Sequence, residues 1–267
     1  MREVQSLSKA WALEVNLNLI NDDCMSVMRD YPDNYFDACI TSPPYNMNLR
    51  INARGNGYCS RQIVKELSSK YKNFNDNLPM EKYEDFLRNY VQEMLRISSV
   101  VFLNLQIITG NKPALFRFFG HFADQIKELI IWDKCYSQPA IGDGVLNSRF
   151  ELIVVLGGNS IARAFKNPQF KKGSLDNIWQ IRPNKSKNAE HKASFPLELT
   201  QQIIKNFLPK SGKIIDPFLG TGTTGIAAYY AQMGEFVGVE LDADYFSAAK
   251  ARINQETKQV DMFAGVI

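Results

Sequence analysis

Apolar and polar positions fall in blocks along the chain, and the period within each block separates strands from helices. A short apolar run from Val15 to Ile20 ends in Asn21-Asp22-Asp23-Cys24, and Met25 to Tyr31 continues with helix-like spacing. Phe36 to Thr41 reads as a buried strand, which Pro43-Pro44 must end because proline has no N–H to give a ladder. Tyr83, Phe86, Leu87, Tyr90, Met94 and Leu95 recur at helical spacing within Tyr83 to Ile97. Further strands are predicted over Ser99 to Ile108, Glu128 to Trp132, Glu151 to Leu156, Lys213 to Ile215 and Phe236 to Glu240. Further helices are predicted over Pro113 to Phe122, Leu197 to Phe207, Thr223 to Tyr230 and Ala243 to Ile253. Strands alternating with helices predict a parallel α/β sheet. Residues 46–78 break the pattern, being rich in Asn, Ser, Lys and Gly with little periodicity. Such a segment is functional or mobile. We read it, with Tyr58, Arg61 and Tyr71, as a mobile lid that orders on a bound substrate, the plain reading being a loop without a role.

Length narrows this to one large domain, or one domain with an insertion: 267 residues, 45% hydrophobic and 22% charged, suit a globular protein with a sizeable core. No apolar run is long enough to span a membrane and no secretory leader is visible, so a cytoplasmic setting is expected. The four cysteines, at 24, 39, 59 and 135, form no CxxC pair, which leaves a zinc site or a disulfide framework without support. Net charge is only +3, but its distribution is uneven. Between Ser160 and Lys192 lie Arg163, Lys166, Lys171, Lys172, Arg182, Lys185, Lys187 and Lys192 against Asp176 and Glu190. Such a stretch can neutralise phosphates; the bland reading is a solvated loop.

Two segments carry chemistry. Asp216-Pro217-Phe218-Leu219-Gly220-Thr221-Gly222-Thr223-Thr224 joins a predicted strand to a predicted helix. Its glycines allow a sharp turn and close approach of a ligand, and the amides of the following helix can meet polar ligand atoms. Glu240, ending the next strand, stands where a carboxylate accepts bonds from ribose hydroxyls. The loop is neither a full GxGxxG nor a P-loop. Asp216 at the strand end suits a cationic amino group, which favours S-adenosylmethionine over NAD.

The other segment, Ser42-Pro43-Pro44-Tyr45, suits a clamp for a planar amino group. The exocyclic nitrogen of cytosine or adenine is a poor nucleophile because its lone pair is delocalised into the ring. Accepting hydrogen bonds from both of its N–H groups draws it towards a tetrahedral shape. The Ser42 hydroxyl and the Pro43 carbonyl are suitable acceptors, pre-aimed by two prolines. Tyr45 offers a flat face to a base flipped out of the duplex. The bland reading is a proline-rich strand terminator beside an incidental tyrosine.

With both motifs in this order, the chain resembles the β class of DNA amino-methyltransferases, the N4-cytosine and N6-adenine group of restriction–modification and related enzymes. The resemblance covers nearly the whole chain. It implies a single catalytic domain over 1–267 with a Rossmann-like S-adenosylmethionine-dependent fold. It further implies a mostly parallel seven-stranded sheet with an antiparallel edge hairpin, helices on both faces and a permuted motif order. By resemblance, Asp23 meets the cofactor adenine, and Asp216, Phe218, Gly220, Gly222, Thr223 and Glu240 complete the cofactor site. Ile130-Ile131-Trp132-Asp133-Lys134 resembles the strand behind the base pocket, and His191 to Leu199 a segment near the methionine end of the cofactor. Residues about 135–190 are then the target-recognition region. Asn46, Trp132, Lys171, Lys172, Arg182, Lys185 and Lys187 are its candidate DNA contacts, although Trp132 and Trp179 also read as core. Double-stranded DNA is the implied partner; a restriction endonuclease and a homodimer are partners some relatives have.

Serine at position 42 favours N4 of cytosine, while Asn46 after Tyr45 is frequent among adenine enzymes, so N6-adenine is the close second. C5-cytosine methylation is excluded, because it needs a Pro-Cys nucleophile and no cysteine follows a proline. His121 and His191 have no partner at metal or triad spacing. RNA or protein amino groups, a dehydrogenase, and a DNA-binding module without catalysis are the remaining alternatives. The intact Ser-Pro-Pro-Tyr argues against the last.

Overall fold

The chain alternates strand and helix from its first described strand to its last helix. The order is β1 (Asn16–Asn21), α1 (Cys24–Arg29), β2 (Ala38–Thr41), α2 (Met80–Ile97), β3 (Val101–Leu105), α3 (Lys112–His121), β4 (Ile126–Gln138), β5 (Ser148–Leu156), β6 (Ile178–Gln180), α4 (Leu197–Phe207), β7 (Lys213–Asp216), α5 (Thr223–Tyr230), β8 (Glu235–Glu240) and α6 (Ala243–Ala264). This computed structural model describes residues 15–46, 78–138, 143–158, 162–183 and 196–264. Residues 47–77, which carry the expected lid with Tyr58, Arg61 and Tyr71, lie outside them, as do Lys185, Lys187 and His191.

The strands form one sheet in the order β1-β8-β7-β2-β3-β5-β4-β6, with β5 alone running against its neighbours. This corrects the expected seven strands to eight among the described residues. The extra strand is Ile178-Trp179-Gln180, too short for its period to show within a polar stretch. It pairs in parallel with β4, so the β4–β5 hairpin is not at the edge. The other difference is length. β4 has 13 residues where the apolar run marked five, because its polar second half, Asp133 to Gln138, still extends the hairpin.

Side chains alternate across the sheet and sort into two cores. Cys39, Leu103, Leu105 and Val154 face α1, α2 and α3, while Ile40, Phe102, Ile153 and Val155 face α4 and α5. In α2, Tyr83, Leu87, Val91, Met94 and Ile97 are buried at steps of three and four, one stripe of an amphipathic helix. Its last turn is tied down by Arg96, which donates to the carbonyls of Met28 and Tyr31 at 3.0 and 2.9 Å and pairs with Glu93. In α5, by contrast, every residue from Thr223 to Ala228 is buried. This helix is packed between α4 and α6.

From the boundary between β7 and β2 the chain departs in opposite directions. β7 leads to β8 on one side and β2 leads to β3 on the other. In open α/β sheets the crevice beyond the carboxyl ends of such a pair is where ligands bind. Here those two carboxyl ends carry the glycine loop and the Ser-Pro-Pro-Tyr segment.

Candidate active site

The glycine loop is shaped by its own neighbourhood. Gly220 and Gly222 both have positive φ, 52° and 79°, a conformation that residues with a Cβ rarely adopt. A Cβ on Gly222 would also stand 2.8 Å from Ile253 Cδ1, so close packing against α6 excludes it. The Gly220 N–H donates to Glu240 Oε2 at 2.9 Å, and the Asp242 N–H donates to Oε1 at 3.0 Å. Glu240 therefore fixes the loop while ending β8. From α6, Arg252 donates to the Thr221 carbonyl at 2.8 Å and to the Thr223 hydroxyl at 3.1 Å. The Phe218 ring leans on Tyr90 of α2, with centroids 5.6 Å apart.

Acidic groups gather around this loop. Asp216 is buried, and burial pushes its carboxyl up to about 6, against the lowering effect of the hydroxyl of Thr41. Burial also raises Glu240, with Asp216 and Asp242 as like charges adding to the effect. Asp23 caps α1 by accepting the Ser26 N–H at 3.0 Å. Burial first, and then the charges of Asp23, Glu240 and Asp216, push the Cys24 thiol far above its usual range. Such a set suits a ligand carrying a cationic amino acid end and a ribose diol. It opposes the pyrophosphate of a dinucleotide, which would bring like charges together.

The Ser-Pro-Pro-Tyr segment is held from outside. Tyr83 of α2 donates to the Pro44 carbonyl at 2.9 Å, and Asn111 donates to the Tyr45 carbonyl at 2.8 Å. The Asn46 amide ties this segment to the stretch before α2. It donates to the Leu78 carbonyl at 3.0 Å and accepts the Leu78 N–H at 2.7 Å. Asn46 is thus buried and acts as a brace. The Pro43 carbonyl takes no part in these bonds. Among side chains, Ser42 Oγ lies 2.9 Å from Tyr45 Oη, which donates to Glu151 Oε2 at 3.0 Å. Asn104 Nδ2 lies 2.7 Å from both Tyr45 Oη and Glu151 Oε2, and Lys134 Nζ lies 2.6 Å from Glu151 Oε1. One bond joins this cluster to the loop: the Thr41 hydroxyl donates to Asp216 Oδ1 at 2.6 Å, across the β2–β7 boundary.

Asn104, Asn111, Glu151 and Arg252 were not singled out by sequence. Asn104 and Glu151 did leave a signal, each being a lone polar residue that opens or interrupts an apolar strand (Val-Phe-Leu-Asn-Leu and Glu-Leu-Ile-Val-Val-Leu). Trp132, a candidate DNA contact, is buried opposite Glu151, and its indole N–H donates to the Ile181 carbonyl at 2.7 Å. It forms the wall behind the cluster. Lys171, Lys172 and Arg182 are exposed. The backbone beside Lys171 and Lys172 is pinned through Phe165 and Phe170, whose rings pack on Phe207 of α4 with centroids 4.8 and 5.4 Å apart. No helix among the described residues is long and apolar enough to cross a membrane.

Comparison with known proteins is consistent with this geometry. The family model N6_N4_Mtase, described as DNA methylase, matches residues 36–251. The type II methyltransferase M.MthZI of Methanothermobacter thermautotrophicus is 26% identical over 86% of this chain and 75% of its own length. M.BglII of Bacillus subtilis is 23% identical over 93% of this chain and 72% of its own. Among solved structures, the cytosine-N4-specific PvuII DNA methyltransferase superposes with a TM-score of 0.67 at 14% identity, covering 92% of each chain. A putative DNA modification methylase from Thermus thermophilus, complexed with S-adenosyl-L-methionine, has a TM-score of 0.61 at 19% identity, covering 91% of this chain and 96% of its own.

Proposed function

The chain belongs to the DNA methylase family of N6/N4 amino-methyltransferases, and on that premise we propose that it methylates N4 of a cytosine flipped out of double-stranded DNA. The family's methyl donor is S-adenosylmethionine, which supplies an electrophilic methyl on a sulfonium centre. The carrying observation is the Thr41–Asp216 hydrogen bond, which sets the Ser42 acceptor and the carboxylate-lined loop at adjoining strand ends. Everything else the chain contributes is placement. Glu240 and Asp23 are the acceptors for ribose and adenine, and the buried Asp216 charge faces the cationic end of the donor. Ser42 Oγ and the Pro43 carbonyl receive the two N–H groups of the target, and Tyr45 bears on its ring. No metal or covalent intermediate is needed by this scheme, since holding nucleophile and methyl in line is itself worth several kcal/mol, roughly 7 to 11 at best.

Ser42 is the reason for preferring cytosine, because the adenine enzymes of the family usually carry an acidic or amide side chain there. Nucleoside mass spectrometry on DNA from cells expressing the chain, beside Ser42→Ala, decides it. N4-methylcytosine that disappears in the variant is the expected result. N6-methyladenine in its place overturns the base assignment while keeping the reaction type. Neither product, from a folded chain that binds S-adenosylmethionine, overturns DNA as the substrate.

A further inference from the structure

We propose that Glu151 is a positioning residue for the transfer, acting through the Tyr45 hydroxyl to fix the direction of the hydrogen bonds that end at Ser42. The inference rests on the reading of Ser42 as acceptor for the target amino group. A serine hydroxyl is free to rotate and can present either its proton or its lone pairs. Presented with the proton, it would oppose an amino N–H. What decides the direction must lie further along the chain of bonds.

Glu151 is 8% exposed, on β5, and 106 positions after Tyr45. As a carboxylate it can only accept. One oxygen meets the Lys134 ammonium at 2.6 Å; the other receives Tyr45 Oη at 3.0 Å and Asn104 Nδ2 at 2.7 Å. The phenolic proton is therefore directed at Glu151, and burial together with the Glu151 charge keeps that phenol protonated. The Tyr45 oxygen is left with lone pairs only. It fills them with Asn104 Nδ2 at 2.7 Å and with the Ser42 hydroxyl at 2.9 Å. The rival acceptor for the Ser42 proton, the Asn104 carbonyl, is more distant at 3.5 Å. With its proton turned inward, Ser42 has lone pairs left for the amino group. Each bond in the series follows from the one before it, and the first is set by a residue that touches no substrate.

Glu151→Gln keeps the shape and reverses the chemistry. The Lys134 ammonium holds the new amide oxygen, which turns the amide nitrogen onto Tyr45, and the series then runs outward to a donating Ser42. The measurement is the single-turnover rate of methyl transfer to DNA, with S-adenosylmethionine and DNA affinities measured separately on the same preparations. We expect Glu151→Gln to lose roughly 10- to 100-fold in rate with both affinities kept, less than the roughly 10²–10³ lost when a pre-aimed hydrogen bond is removed outright. Tyr45→Phe keeps the ring and cuts the series, so it should lose a similar factor. The double variant should be no slower than the slower single one. Wild-type rates in Glu151→Gln overturn the inference, as do factors that multiply in the double variant. If Glu151→Gln fails to fold, a full-rate Tyr45→Phe also overturns it. A wild-type chain that transfers no methyl to DNA overturns the function itself, a distinct failure.

Discussion

The glycine loop and the Ser-Pro-Pro-Tyr segment stand at the ends of neighbouring strands, yet they are built in opposite ways. The loop is held by residues near it in sequence: Asp216 receives the Phe218 N–H, Glu240 receives the Gly220 N–H, and Arg252 reaches Thr221 and Thr223. The clamp is held by residues far from it, Tyr83, Asn104, Asn111 and Glu151, brought in by four different elements or their connections. The loop is thus shaped chiefly within residues 216–252, whereas the clamp depends on side chains whose positions are set by the whole sheet.

That contrast can be broken at its strongest point by Tyr45→Ala. Losing the ring and the hydroxyl together should lower turnover by on the order of 10² to 10³, the stacking face and a pre-aimed bond being removed at once. S-adenosylmethionine affinity, measured by calorimetry, should stay unchanged; a matching loss there would mean that the two halves are one site.

Asp216 tests the other half. Its carboxyl is raised from 3.8 to about 6 in the fold, so between those pH values the folded chain keeps a proton that the unfolded chain has lost. Stability contributed by this residue is therefore full below about pH 4 and falls as pH rises through 6, by at most about 3 kcal/mol. Asp216→Asn should abolish that fall and melt higher at pH 7 while binding S-adenosylmethionine at least ~10-fold more weakly, since a charge-assisted bond contributes about 1.5–3 kcal/mol. Asp216→Ala should weaken binding too but destabilise, because the Thr41 hydroxyl and Phe218 N–H lose their acceptor at about 1–3 kcal/mol each. Thermal melts across pH 4 to 8 separate the two variants.

A smaller effect is expected from Gly222→Ala. The left-handed backbone and the approach to Ile253 should together cost about 1–3 kcal/mol of stability in chemical denaturation, with DNA affinity unaltered. The smallest concerns the exposed basic segment. Replacing Lys171, Lys172 and Arg182 by alanine should flatten the dependence of log affinity for DNA on log salt by roughly 0.9 for each phosphate no longer neutralised. An unchanged slope would remove the segment from the DNA-binding surface.

Sequence made the local half legible and the distributed half only in outline. The bounds of α4 and α5 follow from Pro196 before one and Gly222 before the other, signals that lie within a residue of the element. The glycines and Glu240 were visible because their spacing is local. β6 was not, since a three-residue strand shows no period; its place is set by pairing with β4. Glu151 and Lys134 could be seen as polar residues in or beside strands, but their partnership with Tyr45 exists only once β5 lies antiparallel between β3 and β4. Asn46 shows the same limit. A residue after Pro-Pro-Tyr suggests contact with substrate, and only the folded chain shows its amide bonded to Leu78.

The Thr41–Asp216 bond has a consequence for how such a chain can diversify. β2 and β7 are adjacent strands, so the gap between their ends is a fixed ruler of about 4.8 Å, tightened by one side-chain bond. In the function proposed above, transfer takes place across these two strand ends, which belong neither to the β4–β5 hairpin tip nor to the basic segment beyond it. Those outer parts can be lengthened, swapped or rewritten to address a different stretch of DNA while the transfer distance stays as it is. A library that randomises residues 143–147 and 166–172 should therefore yield many variants with altered sequence preference for every one with altered chemistry.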